Sequence, residues 1–122
     1  MKRVLVIEDN ETNMYLIGFI LRKNGYEVIE ARSGEEGIEL ALKKMPDLII
    51  MDIQLPGIDG LETTRRIRES KADGEVPIIA LTSYAMTGDR EKALKVGCSG
   101  YIEKPINPDT IMDEIKKYIK GD

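Results

Sequence analysis

Residues 48–60 read LIIMDIQLPGIDG, four apolar residues that run directly into an acid, Asp52. Burying a carboxylate beside such a segment costs free energy unless the charge is paired or bound to a metal ion. The continuous apolar run is typical of a central strand in a parallel sheet that helices cover on both faces. The stretch therefore predicts a buried strand with a functional acid at its carboxyl end.

Four other β-rich runs occur in the chain, at residues 4–7, 27–30, 77–82 and 100–104. Each of the five runs is followed by a segment of helical character, so the chain repeats a strand–helix unit. The two runs at 27–30 and 100–104 are the more polar ones, which favours edge positions for them. Right-handed crossovers then predict a flavodoxin-like α/β fold, a doubly wound parallel sheet of order 2-1-3-4-5 between two helical layers. We expect helices 1 and 5 on one face and helices 2, 3 and 4 on the other.

The second helix has the clearest pattern. Ser33 and Glu36 form a capping box at its start. Apolar residues then recur at helical spacing and predict a buried face. The residues of that face are Ile38, Ala41, Leu42 and Met45.

The composition is that of one ordinary globular domain. Hydrophobic residues make up 42% of the 122 residues and charged residues 33%, which is enough for one core. Lys and Arg total 18 against 22 Asp and Glu, a formal charge of -4, which argues against a nucleic-acid-binding face. We expect a single domain over residues 1–122 with no output domain.

The chain offers neither a membrane segment nor a secretion signal. Its longest apolar run, at 48–51, is far too short to span a bilayer, and acids interrupt the first ten residues. It has one cysteine, Cys98, and no histidine, so an internal disulfide, a zinc site and a Ser-His or Cys-His nucleophile are excluded. We expect a cytoplasmic protein whose chemistry uses carboxylates, hydroxyls and lysines.

Polar side chains follow the predicted strands at the point where each strand ends. Glu8 and Asp9 follow strand 1 and Asp52 follows strand 3, while Thr82 and Lys104 stand at the ends of strands 4 and 5. Ligands of open α/β sheets bind outside the carboxyl ends of the strands, where the strand order reverses. Apart from Asp52, whose charge is costly beside a buried strand, each residue alone is commonplace at its position. Together they predict a site at this edge.

Three acids at one edge require a cation. Two carboxylates about 4 Å apart repel each other by roughly 4 kcal/mol at an effective dielectric constant near 20. Oxygen ligands without imidazole or thiolate suit Mg²⁺ or Mn²⁺, and Mg²⁺ can be completed by a phosphoryl oxygen. A carboxylate beside Mg²⁺ and a lysine can attack phosphorus to form an aspartyl-phosphate.

The segments VLVIEDN, LIIMDIQLPGIDG, IALTSYA and YIEKPI, in this order, resemble the receiver domain of two-component response regulators. The resemblance runs from Val4 to about Ile119. The stretch DIQLPGIDGLE is most similar to single-domain regulators of the DivK type or to receivers carried on hybrid histidine kinases. The start at Met1 and the end soon after the fifth helix favour the single-domain type.

The resemblance implies a phosphorylation switch rather than an enzyme, with Mg²⁺-dependent self-phosphorylation and autodephosphorylation as its only reactions. The phosphoryl donor would be a histidine kinase or a histidine phosphotransferase, and the protein would be a monomer or weak dimer. Asp52 would be the phosphoacceptor. The metal ligands that it implies are Glu8, Asp9, Asp52 and the backbone carbonyl of Gln54. Glu8 stands where many members of the family have Asp.

The remaining roles concern the phosphoryl group and the switch. The resemblance implies that Lys104, joined to Pro105 by a cis peptide bond, stabilises the phosphoryl group. Thr82 would be drawn inward on phosphorylation, the loop before helix 4 would shift, and Tyr101 would follow into the vacated space. A protein-binding face of helix 4, strand 5 and helix 5 would rearrange.

Two other functions use a similar fold. A haloacid-dehalogenase-like phosphatase also has an aspartate nucleophile and Mg²⁺, but it needs a second acid two residues on, where this chain has Gln54. A nucleotide or flavin binder needs a phosphate loop after strand 1, where this chain has the acidic EDNETN. Within the receiver family, a module excised from a larger hybrid kinase is the alternative.

Overall fold

Strands and helices alternate along the chain, as the repeated pattern predicts. A computed structural model describes residues 1–70, 75–83 and 87–119, with the backbone alone at residues 87 and 89. The strands are β1 (Arg3–Ile7), β2 (Glu27–Ala31), β3 (Leu48–Asp52), β4 (Ile78–Thr82) and β5 (Gly100–Glu103). The helices are α1 (Glu11–Lys23), α2 (Gly34–Lys44), α3 (Gly60–Glu69), α4 (Thr87–Val96) and α5 (Ile111–Lys116).

The strands form one parallel sheet in the order β2-β1-β3-β4-β5. The register places Ile7 beside Met51, and Asp52 beside Leu81. The carboxyl ends of the central strands are therefore level with one another. The predicted flavodoxin-like α/β fold is confirmed, including its strand order.

Two apolar cores lie on opposite faces of the sheet. Along β1, Val4 and Val6 belong to one core and Leu5 and Ile7 to the other, as the alternation of side chains along a strand requires. The first core contains Met14, Ile17 and Leu21 of α1 with Ile111 and Ile115 of α5; the second contains Ala41 of α2, Ile67 of α3 and Ala93 of α4. The predicted distribution of helices between the faces is confirmed.

The start of α2 follows its prediction with one difference. The Ser33 side chain accepts a hydrogen bond from the backbone N–H of Glu36 at 3.1 Å. The Glu36 carboxylate in turn accepts from the backbone N–H of Arg32, at 2.6 Å. The reciprocal bond thus reaches one residue beyond the N-cap.

The predicted buried face of α2 is partly wrong. Leu42 and Met45 are 39% and 51% exposed, whereas Ala41 is buried. The helix lies so close to the sheet that a Cβ added to Gly37 would be 2.4 Å from Cδ1 of Ile7. Small residues therefore lie nearest the sheet; Ile38 is only partly buried against the core, and Leu42 and Met45 point away from it.

Among the described residues, no helix has the length and apolar composition needed to cross a bilayer.

Candidate functional site

Asp52 ends β3 with its carboxylate in the interior. Only 3% of the residue is exposed. One carboxylate oxygen, Oδ1, accepts the backbone N–H of Gln54 at 2.9 Å, and the other, Oδ2, lies 3.1 Å from Nζ of Lys104. Both oxygens thus have a donor, which offsets the cost of burying the charge.

Lys104 joins two of the predicted acids. Its backbone N–H donates to the carbonyl of Thr82 at 2.7 Å, and its peptide bond to Pro105 is cis, as the resemblance implies. The ammonium lies 3.1 Å from Oδ2 of Asp52 and 3.4 Å from Oε1 of Glu8. Its side chain is 14% exposed, so the cation reaches the site from the end of β5 while remaining largely buried.

Glu8 is fully buried beside Asp52. Its Oε1 accepts the backbone N–H of Asn10 and the side-chain amide of Asn13, each at 3.4 Å. Its Oε2 is buried without a hydrogen-bond partner. Burial raises the pKa of Glu8 above its ordinary value, and the negative charge of Asp52 contributes a smaller rise in the same direction. The positive charge of Lys104 partly opposes this rise.

Three carboxylates meet where a cation could be held. Glu8, Asp9 and Asp52 each offer an oxygen, and the three oxygens lie within 4.8 Å of one another. All three ligands would be carboxylate oxygens, the hard donors that Mg²⁺ prefers in proteins. One of the carboxylates, that of Glu8, also has a buried oxygen without a hydrogen-bond partner. The residues present therefore fit a divalent cation.

The loop after β3 holds Asp52 in position. Gly57 has a φ of +75°, which suits the third position of a type II turn after Pro56. The Asp59 side chain then accepts the N–H of Glu62 at 2.9 Å and caps α3. Gly60, the first residue of α3, lies so close that an added Cβ would be 2.5 Å from the carbonyl oxygen of Asp52.

The two predicted switch residues lie on neighbouring strands. Thr82 ends β4 and is 5% exposed. Tyr101 lies in β5, half-buried, and the guanidinium carbon of Arg90 lies 4.9 Å from the centre of its ring. The switch roles of Thr82 and Tyr101, and the metal-ligand role of the Gln54 carbonyl, stay predictions.

The structure brings Glu8, Asp9, Asp52 and Lys104 together as predicted. Two contacts of the site were not predicted from the sequence. Asn13 reaches Glu8 because it lies in the first turn of α1, five residues further on. Arg90 reaches Tyr101 from α4, and no sequence spacing indicates that contact because the two residues belong to separate elements.

Comparison with known proteins agrees with this geometry. Residues 4–116 match the family model of the response regulator receiver domain. The chain is 44% identical over 118 residues to the polar-differentiation response regulator DivK of Brucella ovis, covering 97% of this chain and 96% of that protein.

Two solved structures are similar in fold and sequence. One is the receiver domain of a sensor histidine kinase from Pseudomonas aeruginosa with a magnesium ion coordinated in its active site cleft; identity is 36%, the TM-score is 0.89 and 96% of each chain is covered. The other is the receiver domain of Ssk1 from Saccharomyces cerevisiae, crystallised with the histidine phosphotransfer signaling protein Ypd1; identity is 31%, the TM-score is 0.87, and 96% of this chain and 88% of that one are covered. This chain belongs to the response regulator receiver domain family.

Proposed function

We propose that this receiver domain accepts a phosphoryl group on Asp52, with Mg²⁺, from a phosphohistidine of a histidine kinase or phosphotransferase. The observation that carries the proposal is the pairing of the buried Asp52 carboxylate with Lys104 at 3.1 Å, beside two further acids. The carboxylate stands at the carboxyl edge of the sheet, the edge at which ligands of open α/β sheets bind.

The metal would be held by the acids that meet at this edge. We assign Glu8, Asp9 and Asp52 to it, together with the backbone carbonyl of Gln54. The 4.8 Å spread of the carboxylate oxygens supports the three acids, and the magnesium ion in the Pseudomonas receiver supports the choice of metal. When bound, Mg²⁺ offsets negative charge on the transferring phosphoryl group.

The residues of this chain would supply nucleophile and charge. A carboxylate oxygen of Asp52 attacks the phosphorus, the P–N bond to the donor imidazole breaks, and the imidazole nitrogen keeps the electron pair. Lys104, held between Asp52 and Glu8, balances charge on the phosphoryl oxygens. Gln54 offers a neutral amide where a phosphatase of the haloacid-dehalogenase type needs an acid, so the aspartyl-phosphate is expected to persist as a signal.

The partner is proposed from the same chemistry. Transfer onto an aspartate needs a donor whose phosphoryl bond is of at least comparable energy to that of an acyl phosphate, and phosphohistidine is such a donor. The Ssk1 receiver, to which this chain is similar, was crystallised with a histidine phosphotransfer protein. We infer a partner of that class, or a kinase that carries the same phosphohistidine.

The signal would pass to the face formed by α4, β5 and α5. Thr82 is expected to turn toward the phosphoryl group, and Tyr101 to move into the space behind it. The loop before α4, which is also expected to shift, includes residues 84–86, and these lie outside the described residues. The half-buried position of Tyr101, on the strand next to Thr82, supports its role as the moving group.

Incubation with acetyl phosphate and Mg²⁺, followed by intact-mass analysis, tests the phosphoacceptor. The wild type should gain the mass of one phosphoryl group, and Asp52→Asn should gain none. Asp113→Asn on α5, an exposed acid outside the proposed set of site residues, is the matched control and should be labelled like the wild type. Equal labelling of Asp52→Asn and wild type would remove Asp52 from its assigned role.

A further inference from the structure

Asn13 contacts the site without belonging to the predicted set. Its side-chain amide donates to Oε1 of Glu8 at 3.4 Å. We propose that Asn13 is a positioning residue, which fixes the Glu8 carboxylate so that its second oxygen, Oε2, stays available to the metal. The inference rests on the proposed function, because it assumes that Mg²⁺ binds at this site.

The two oxygens of Glu8 have unequal surroundings. Oε1 receives three donors, the N–H of Asn10, the amide of Asn13 and the ammonium of Lys104, each at 3.4 Å. Oε2 is buried without any hydrogen-bond partner. A buried carboxylate oxygen in that state is costly, and a cation or a cation-bound water at the acidic cluster removes the cost.

Glu8 needs this positioning because its side chain is long. It has one more rotatable bond than an aspartate, and each bond that must be ordered costs conformational entropy. The donor that orders it is itself held, because the backbone N–H of Asn13 donates to the side chain of Asn10 at 2.9 Å in the first turn of α1. An aspartate at position 8 would be one methylene shorter and is expected to fall short of the Asn13 amide. Asn13 and Glu8 are therefore expected to act as a pair.

A merely structural role for Asn13 predicts something different. Asn13 is half-buried on α1, and replacing a helix residue can weaken the helix whatever residue stands at position 8. A positioning role makes the effect on Mg²⁺ affinity depend on Glu8. A double-mutant cycle separates the two roles.

The experiment measures Mg²⁺ dissociation constants by NMR titration of the metal-free protein. Asn13→Ala is made in the wild type and in Glu8→Asp, with Thr12→Ala, an exposed neighbour on α1, as the matched control. We expect Asn13→Ala to weaken Mg²⁺ binding roughly three- to tenfold beside Glu8, and less than about twofold beside Asp at position 8. Thr12→Ala should leave the affinity unchanged, and urea unfolding with EDTA should show all variants folded.

The outcomes separate this inference from the proposed function. An equal loss of Mg²⁺ affinity in both backgrounds, or no loss in either, would overturn the positioning role while the wild type still binds the metal. A wild type that binds no Mg²⁺ would overturn the proposed function and this inference with it. A loss confined to the Glu8 background supports the pair.

Discussion

At the scale of single residues, the two buried acids differ in how their charge is balanced. Asp52 has a donor on each oxygen, whereas Glu8 has its donors on one oxygen and none on the other. Among the described ion pairs, Lys104 is the one cation that contacts both Glu8 and Asp52. Without metal the site therefore has more negative than positive charge. Glu8 is the acid whose pKa this environment raises.

The metal-free protein should become more stable as the pH falls from neutrality toward 4.5, the ordinary pKa of Glu8. Burial and the Asp52 charge raise the pKa of Glu8 in the folded state, so the folded protein binds a proton that the unfolded chain releases in this interval. The stability that this group contributes is present below the ordinary pKa and is lost as the pH rises through the raised one. Urea unfolding with EDTA at about pH 7.5 and about pH 5.5, followed by circular dichroism, measures it.

Glu8→Gln is the control for this pH dependence, because the amide cannot titrate. Its unfolding free energy should be nearly equal at the two pH values. Acids whose pKa is lowered affect stability in a different pH range. Hydrogen bonds from Arg65 and Arg66 lower the pKa of the partly exposed Glu62 to about 2, so any stability from that group is lost only below its ordinary pKa of 4.5. A wild type that is less stable near pH 5.5 than near pH 7.5 would contradict the prediction.

At the scale of elements, the start of α3 sets the position of Asp52. An alanine methyl at Gly60 would lie 2.5 Å from the carbonyl oxygen of Asp52, a backbone atom that cannot move without shifting β3. We expect Gly60→Ala to lower the unfolding free energy by about 1–3 kcal/mol. It should also slow phosphorylation by acetyl phosphate, since the shifted strand carries the nucleophile.

Gly88 provides the matched substitution, in the first turn of α4, where an added Cβ would have no described atom within 4 Å apart from its chain neighbours and the backbone of its own helix. Gly88→Ala should leave stability unchanged or raise it by up to about 1 kcal/mol, because alanine favours the helix. Urea unfolding measures the free energy of unfolding of both variants. Gly60→Ala reports the effect of close packing against β3, and Gly88→Ala reports the effect of helix propensity alone. Equal stability of the two variants would mean that α3 can move away from β3 at little cost.

The contact between Arg90 of α4 and Tyr101 of β5 should hold the Tyr101 ring in its present, half-buried position. The Arg90 guanidinium lies over the Tyr101 ring at 4.9 Å, and an exposed contact of this kind is worth about 0.5–1 kcal/mol. If the proposed switch draws the ring inward, the contact must break first. Arg90→Ala should therefore tighten binding of beryllofluoride with Mg²⁺ by about two- to fivefold.

Lys92→Ala, an exposed lysine on the same helix, removes the same charge without touching the ring. NMR titration with beryllofluoride in the presence of Mg²⁺ measures the affinity of both variants, and that of Lys92→Ala should match that of the wild type. A change of equal size in both variants would assign the effect to net charge. Unchanged affinity in Arg90→Ala would show that the contact does not oppose the switch.

At the scale of the whole molecule, residue patterns in the sequence predict the strands, the helices and their order in the fold. They do not predict contacts that depend on how closely two elements approach each other. The polarity of the strands placed β2 and β5 at the edges, and the sheet then brought Glu8, Asp52 and Lys104 together. Leu42 was assigned to the core because helical spacing cannot show how closely α2 approaches the sheet. The Asn13 contact was missed because its importance depends on which oxygen of Glu8 is already occupied.

The same architecture predicts how stability is distributed through the fold. Strands β1, β3 and β4 lie inside the sheet with nearly every residue buried, whereas α4 buries only Ala93 among its described side chains. Helix α1 buries Met14, Ile17 and Leu21, so its hydrogen bonds should open mainly with the global transition. Native-state hydrogen exchange should therefore find the slowest amides in β3 and β4, and amides of α4 exchanging at least about tenfold faster than those of α1. Protection of α4 equal to that of α1 would mean that the face formed by α4, β5 and α5 opens only when the whole domain unfolds, which is incompatible with a local switch there.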